Sequence, residues 1–312
     1  MAIDVLPWLL KGKEREEYDL LNDVDNIDMF SIREVIYVIC CLLGIIGTRV
    51  AFNSMISPWA GKQARARNIS QREMNKVLEE IWVLIGNTVT LSLAVYVMLY
   101  ENNGCWFGNT APCLVGWPNH SVNPAVLLYY TIEFAWYIHL LLKKPLGYGE
   151  PDGKDMKMHH VASLLLLFLS KAFNLTRGGI LVLTLFSISN PALHAAKICN
   201  QMAPAVRVPM FIVFSALFMV TRVIMVPFII LRMSIFESVK LIPYAVKDFM
   251  VPFIAFNVLL VLLYVMQIQW MWAIIKVLKK SAVEGASAAA ELSTELDPSK
   301  RFASTNEEKK RE

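Results

Sequence analysis

Long, strongly apolar runs recur along the chain, and only short polar segments separate them. The hydrocarbon core of a bilayer is about 30 Å thick, and a helix needs about 20 apolar residues to cross it. Of the 312 residues, 56% are hydrophobic, which is more than a soluble domain of this length needs. We therefore predict an all-α, polytopic membrane protein with about seven transmembrane helices. The expected helices cover residues 31–52, 78–100, 124–142, 157–175, 178–199, 208–232 and 249–278.

These runs divide the chain into four segments. Residues 1–30 form an acidic N-terminal segment, and residues 31–75 hold the first transmembrane helix and a basic cytosolic loop. Residues 76–280 hold the other six helices. Residues 281–312 form a polar, Ala-rich tail that we expect to be disordered and cytosolic.

Lysine and arginine are distributed unevenly between the loops. They are frequent at 57–76, 143–157 and 276–280, whereas residues 77–142 contain neither. Basic loops beside membrane helices stay in the cytosol, so they indicate topology rather than nucleic-acid binding. The N-terminus is then luminal and the C-terminus cytosolic. Lys309 and Lys310 stand fourth and third from the end, a pattern that resembles the dilysine retrieval signal of endoplasmic-reticulum membrane proteins.

The loop at residues 101–123 falls on the luminal side in this topology. Its Asn119-His120-Ser121 sequence is a usable acceptor for N-glycosylation. Cys105 and Cys113 share the loop, and the sequence leaves open whether they form a disulfide.

Four of the five histidines lie near the predicted cytosolic ends of helices, namely His139, His159, His160 and His194. Ionisable groups inside a bilayer are costly and are candidates for function. At 1.5 Å per residue the four should lie at a similar depth, so we expect them to converge on one polar pocket. The alternative is that each is a hydrogen-bonded packing residue. A metal site is a weaker reading, because adjacent helical residues point about 100° apart.

A second polar pattern follows one face of the predicted fifth helix. Phe186, Asn190, His194 and Lys197 recur at helical spacing, with Ser187 beside them. Such a stripe should face other helices or a cavity. It could equally be a seam of hydrogen bonds between helices.

These motifs resemble the TLC-domain family, and within it the ceramide synthases. The segment Lys154-Asp-Met-Lys-Met-His-His-Val-Ala-Ser163 is similar to the family's paired-histidine Lag motif, and Asn174, Arg177, Gly178, Ala196-Lys197 and Asn200 continue it. Lys76-Val-Leu-Glu-Glu-Ile-Trp82, Trp117-Pro-Asn119 and Tyr129-Tyr-Thr-Ile-Glu133 resemble neighbouring family motifs. The resemblance covers about residues 75–280 and implies a helical bundle with an internal lipid cavity.

The fifth helix departs from the family pattern. Ceramide synthases carry His-Asp-x-x-Asp there, and the matching positions in this chain are Phe186, Ser187 and Asn190. The acidic residue that follows by one turn is His194 here. The intramembrane His-Asp pair is therefore absent.

The resemblance implies transfer of a fatty acyl group from acyl-CoA, as co-substrate and without a resident cofactor or metal, to a sphingoid-base amine. That amine is largely protonated at neutral pH, so a base such as imidazole is useful. Our hypothesis assigns His159 or His160 as base or nucleophile and His194 as a partial substitute for the lost pair. The supporting or substrate-binding candidates are Asp155, Ser163, Asn174, Arg177, Ser187, Asn190, Lys197, Asn200, Glu133 and His139.

Other readings remain open beside the acyltransferase. The family also contains members that bind lipid, regulate membrane composition or assist protein traffic, and loss of the His-Asp pair favours these. A seven-helix receptor is disfavoured, because the third helix ends in Leu140-Leu-Leu-Lys-Lys144 rather than an acidic-Arg-aromatic end. The expected partners are the membrane and lipid substrates, and a homo- or heterodimer is left open.

Overall fold

The computed structural model describes residues 31–147, 153–203, 205–243 and 250–284. Within these ranges the regular structure is helical and contains no strand, so the all-α prediction is confirmed. The acidic N-terminal segment and the Lys309-Lys310 end lie outside the described residues.

Eight helices account for the described chain. They are α1 Ile32–Ala66, α2 Gln71–Glu101, α3 Pro124–Leu142, α4 Lys154–Ala172, α5 Thr176–Ser187, α6 Asn190–Met202, α7 Arg207–Leu241 and α8 Met250–Glu284. Two residues separate α5 from α6, and Pro191 follows at the start of α6, where a proline is well tolerated. The two helices form one span, Thr176–Met202.

Six spans are long and apolar enough to cross a membrane, so the prediction of a polytopic membrane protein is confirmed. They are α1, α2, α3, α5 with α6, α7 and α8. The remaining helix, α4, has 19 residues but carries Lys154, Asp155, Lys157 and Lys171. Its polar ends explain why composition distinguishes it from the other predicted spans.

The first helix is longer than predicted. It continues through Pro58 to Ala66, so most of the basic segment expected as a loop is helical. The connection to α2 consists only of Arg67–Ser70. Ser70 caps α2 with a capping box: its hydroxyl accepts from the Glu73 N–H, and the Glu73 carboxylate accepts from the Ser70 N–H. The basic residues thus remain close to one end of α1 and α2.

The buried core lies between α2, α3, α4, α5, α7 and α8. The side chains below 2% exposure include Tyr129, Tyr130, Ile180, Leu185, Ile230 and Leu260. Gly179 permits close contact here, because an added Cβ would lie 2.0 Å from the Tyr130 hydroxyl. Many large apolar side chains point outward instead, as expected for a surface that faces lipid.

The loop between α2 and α3 is folded onto the bundle. Cys105 and Cys113 form the disulfide that the sequence left open. Asn174, between α4 and α5, donates to the carbonyls of Pro118 (2.6 Å) and His120 (2.8 Å). Arg177 donates to the Pro112 carbonyl at 3.1 Å. We call this end of the bundle the loop end. The opposite end, where α4 begins and where His159 and His160 lie in its second turn, is the histidine end.

Candidate functional site

The adjacent histidines of α4 are both buried at the histidine end. His159 is 7% exposed and His160 is 6% exposed, and their ring centroids lie 5.7 Å apart. Three charged residues in the first turn of α4 precede the pair and stay at the helix end. The polar start of α4 is therefore followed directly by two imidazoles that are buried in the interior of the bundle.

His159 sits in an aromatic cage. Its ring packs edge-on against Trp270 of α8 at 5.2 Å and stacks on Phe186 of α5 at 6.5 Å. Its Nδ1 has no hydrogen-bond partner among the described residues. A buried imidazole nitrogen without a partner is available to accept a proton or to act as a nucleophile.

His160 faces the other side of α4 and packs against Tyr137 of α3, with ring centroids 5.9 Å apart. Tyr137 and Ser163 both line an apolar cavity of about 400 Å³. Phe186, the partner of His159, lines the same cavity. The histidine pair therefore stands beside one end of an internal space, which we call the histidine-side cavity.

A second, larger cavity lies toward the loop end. It has about 750 Å³ of empty space and includes Trp117 and Phe173 in its wall. Val182 and Phe256 line both cavities, so the two spaces meet at this pair. The two cavities therefore follow one another from the folded loop toward the histidines, with these two side chains between them.

Arg222, in the middle of α7, adds a buried charge to this site. It is 6% exposed and donates to the Gln267 side chain (3.0 Å), the Phe186 carbonyl and the Asn190 side chain. Its guanidinium also stands 5.5 Å from the Phe186 ring centroid. Two of the three positions where ceramide synthases carry His-Asp-x-x-Asp, Phe186 and Asn190, thus contact Arg222.

His194 belongs to a different cluster, between α6 and α2. Its Nδ1 lies 2.5 Å from Oε2 of Glu80, and Lys197 contacts Oε1 of the same carboxylate at 3.3 Å. One turn before His194, at the start of α6, Asn190 donates to Asn87 of α2 at 3.4 Å. The predicted polar stripe is therefore a seam of hydrogen bonds and ion pairs between two helices, and it reaches Arg222 through Asn190.

His139 is in a third cluster. It accepts a hydrogen bond from Trp82 at 3.2 Å and packs against Trp136. Arg49 stacks over Trp82 and pairs with Glu79. The expected convergence of four histidines was therefore wrong for His139 and His194, because equal depth does not make helices present their histidines to the same space.

The other candidate residues are spread over the bundle. Asn174 and Arg177 hold the loop, and the part of α4 after His160, which ends at Ala172, separates them from the histidines by about 18 Å of helix. Glu133 is buried on the face of α3 between Tyr130 and Tyr137, and its Oε1 has no partner among the described residues. Asp155 is half-buried in the first turn of α4, Ser187 is buried at the end of α5, and Asn200 is half-buried near the end of α6.

Sequence reasoning missed Glu80, Arg222, Gln267 and Trp270 as site residues. Arg222 carried a signal, because it is the only charged residue between Arg207 and Arg232. Gln267 and Trp270 carried none, since their roles depend on how α8 packs. Across the described ranges no group of three or more His, Cys, Asp or Glu side chains is arranged to hold a metal ion.

Comparison with known proteins agrees with this architecture. The TLC domain model matches residues 76–276. Ceramide synthase 4 of Bos taurus is 29% identical over 64% of this chain and 49% of its own length. Ceramide synthase hyl-1 of Caenorhabditis elegans is 28% identical over 67% of this chain and 58% of its own. Ceramide synthase 5 of Homo sapiens is 29% identical over 68% and 52%, respectively.

The bundle and its enclosed cavities define a polytopic helical membrane protein. The chain belongs to the TLC-domain family, since the family model covers more than half of it. It spans about half the length of the curated relatives it matches, all of them similar to it at moderate identity.

Proposed function

We propose that this protein is a sphingoid-base N-acyltransferase that uses fatty acyl-CoA to make ceramide or dihydroceramide in the endoplasmic-reticulum membrane. The observation that carries the proposal is a buried histidine pair beside an apolar cavity, with a second apolar cavity toward the opposite end of the bundle. The similarity to ceramide synthases supports the substrate class.

The cavities suit the chain of a fatty acyl group. The walls are almost entirely apolar, so they favour a hydrocarbon chain over a polar substrate. With the chain in the histidine-side cavity, the thioester would lie beside His159, Tyr137 and Ser163.

His159 would then act on the sphingoid amine. The ammonium loses one proton to the imidazole, and the free amine attacks the thioester carbonyl carbon. The C–N bond forms, the C–S bond breaks, and CoA leaves as a thiolate that takes the second amine proton. In an alternative route, the imidazole itself attacks the thioester, and the C–S bond breaks to release CoA as a thiolate that takes a proton from the ammonium. The free amine then attacks the acyl-imidazole, and the imidazole leaves with the remaining proton. Neither route needs a resident cofactor.

The proposed topology places this chemistry at the cytosolic side, where acyl-CoA is available. The basic residues of the α1–α2 connection, the start of α4 and the end of α8 support that side for the histidine end. The N-terminus would be luminal and the C-terminus cytosolic.

A second function, lipid binding without acyl transfer, is favoured by one observation. Phe186 and Asn190 stand where the family's catalytic His-Asp pattern begins and ends, and both are engaged in contacts with Arg222. A protein with this substitution could keep the cavity for membrane homeostasis or trafficking while losing the reaction.

An acylation assay on purified protein distinguishes the two functions. Long-chain acyl-CoA and a sphingoid base are supplied, and ceramide is measured by mass spectrometry for wild type, His159→Ala, His160→Ala and the double variant. His120→Gln is the matched control, because this buried histidine lies in the folded loop at the opposite end of the bundle. We expect ceramide from wild type and the control and none from the double variant. Absence of ceramide from folded wild type, across several chain lengths, would support the lipid-binding function instead.

A further inference from the structure

Arg222 is a buried charge in the middle of a membrane-spanning helix. Charged groups in such helices are costly, and they normally pair with an opposite charge or with backbone carbonyls, or face a water-filled cavity. Arg49 follows this rule, because it pairs with Glu79. Arg222 differs from Arg49 because its hydrogen-bond partners include no carboxylate among the described residues.

Every hydrogen-bond acceptor around Arg222 is neutral. They are the side-chain oxygens of Gln267 and Asn190 and the backbone carbonyl of Phe186. The Nε–H has no acceptor, and no carboxylate contacts the guanidinium among the described residues. The positive charge is solvated by dipoles but is not neutralised, so an anion that reached it would gain strongly in this low-dielectric setting.

The position of Arg222 connects it to the histidine-side cavity. The guanidinium stands over the Phe186 ring, which forms part of the cavity wall. Gln267 follows Leu263, another wall residue, by one helical turn of α8. Arg222 therefore lies behind Phe186, the wall residue of the histidine-side cavity on which His159 also stacks.

We propose that Arg222 binds the carboxylate of a free long-chain fatty acid whose hydrocarbon chain occupies the histidine-side cavity. A guanidinium forms two parallel hydrogen bonds with the planar carboxylate, and this geometry uses the open Nε–H. The amides of Asn190 and Gln267 can rotate to present their NH₂ groups to the same oxygens. The ring of Phe186 has to turn aside to admit the head group.

The head-group chemistry favours a carboxylate over a phosphate. One guanidinium balances the single charge of a carboxylate, whereas a phosphate monoester carries up to two charges and three oxygens to be satisfied. The apolar remainder of the wall offers no further cation. The site thus takes a single-chain acid, which is neither the thioester nor the amine of the proposed reaction, and the inference does not depend on acyl transfer.

Binding of oleic acid, oleyl alcohol and oleyl phosphate to the full-length protein in detergent tests the proposal. Displacement of a fluorescent fatty acid gives each affinity. We expect wild type to prefer oleate to the alcohol by at least about tenfold, the value of one charged hydrogen bond. Arg222→Gln should lose that preference. The matched control Arg232→Gln removes a half-exposed arginine that pairs with Glu237, and it should keep the preference.

A second variant covers the case in which Arg222→Gln does not fold. Asn190→Asp supplies an internal carboxylate to Arg222, so it should fold and lose the oleate preference while still binding the alcohol. Equal affinity of wild type for acid and alcohol, or an undiminished preference in either folded variant, would overturn the proposal. A stronger preference for oleyl phosphate would also overturn it. Oleate binding without ceramide formation would refute only the proposed acyl transfer.

Discussion

Nδ1 of His194 lies 2.5 Å from Oε2 of Glu80, so a histidine of α6 and a carboxylate of α2 form a direct pair. Lys197 contacts the other oxygen of the same carboxylate. The pairing orients the imidazole so that its Nε2 points away from Glu80, as carboxylates do for histidines in many catalytic pairs. It gives His194 a partner that the sequence did not reveal, on a helix more than 110 residues away in the chain.

The first prediction concerns the compensating role of this pair. If His194 partly replaces the missing His-Asp pair, His194→Ala and Glu80→Gln should both lower the rate of ceramide formation while leaving the protein folded. The reason is that alanine removes the imidazole, and glutamine removes the charged acceptor that orients it. The measurement is the acylation rate, with Lys62→Gln, an exposed change on α1, as the control. Wild-type rates in both variants would leave the pair with only a structural role.

The second prediction concerns the point at which the two cavities meet. Phe256 lines both, so Phe256→Ala should join them into one longer space. We expect the acyl chains that are accepted or bound to shift toward greater length, together with a loss of stability of about 3–5 kcal/mol for truncating a buried phenylalanine. Mass spectrometry of products or bound lipids measures the shift. Phe253→Ala is the matched control, because Phe253 lines only the second cavity, the one toward the loop end. An unchanged chain-length profile would show that Phe256 does not limit the chain.

The boundaries of the helices show what the sequence can and cannot determine. The prediction for α3 agrees with the structure at both ends, because Asn123-Pro124 marks its start and Lys143-Lys144 its end. The end of α1 was missed because Gln63-Ala-Arg-Ala66 has good helix formers and no breaking residue. Pro58 did not stop the helix either, which shows that a proline alone is a weak boundary signal.

The site was only partly predictable for a related reason. Residue spacing gives the depth of each histidine, but the direction it faces depends on how the helix is rotated in the bundle. His159 and His160 stay together because they are adjacent in sequence, whereas His139 and His194 face Trp82 and Glu80. Those partners lie on α2, whose orientation is set by packing across the whole bundle.

The third prediction tests the proposed topology through the loop. Asn119 is exposed and heads a sequon, so it should be glycosylated if the loop end is luminal. Asn174 also heads a sequon, but its side-chain nitrogen already binds two loop carbonyls and is not available. Treatment with an N-glycosidase should therefore change the mobility of wild type and of Asn174→Gln but not of Asn119→Gln. A wild-type protein from a eukaryotic membrane that lacks the modification would contradict the luminal assignment.

The fourth prediction concerns the pH dependence of the loop. His120 is buried against the loop backbone, and its ring nitrogen Nε2 lies 2.7 Å from the Val115 carbonyl. Burial lowers the pKa of His120 from its ordinary value of 6.5, and the nearby charge of Arg177 acts in the same direction. Below about pH 6.5 the unfolded loop therefore takes up a proton that the folded loop does not, and the folded form loses stability as the pH falls.

Hydrogen exchange of the loop amides across pH 5 to 8, corrected for the intrinsic pH dependence of exchange, measures this effect. Protection should be constant above about pH 7 and should decrease below about pH 6.5. His120→Gln is the matched variant, because its amide can still hydrogen-bond to Val115 but does not titrate in this range. Its protection should show no decrease in that window. An equal decrease in the variant would assign the effect to another group.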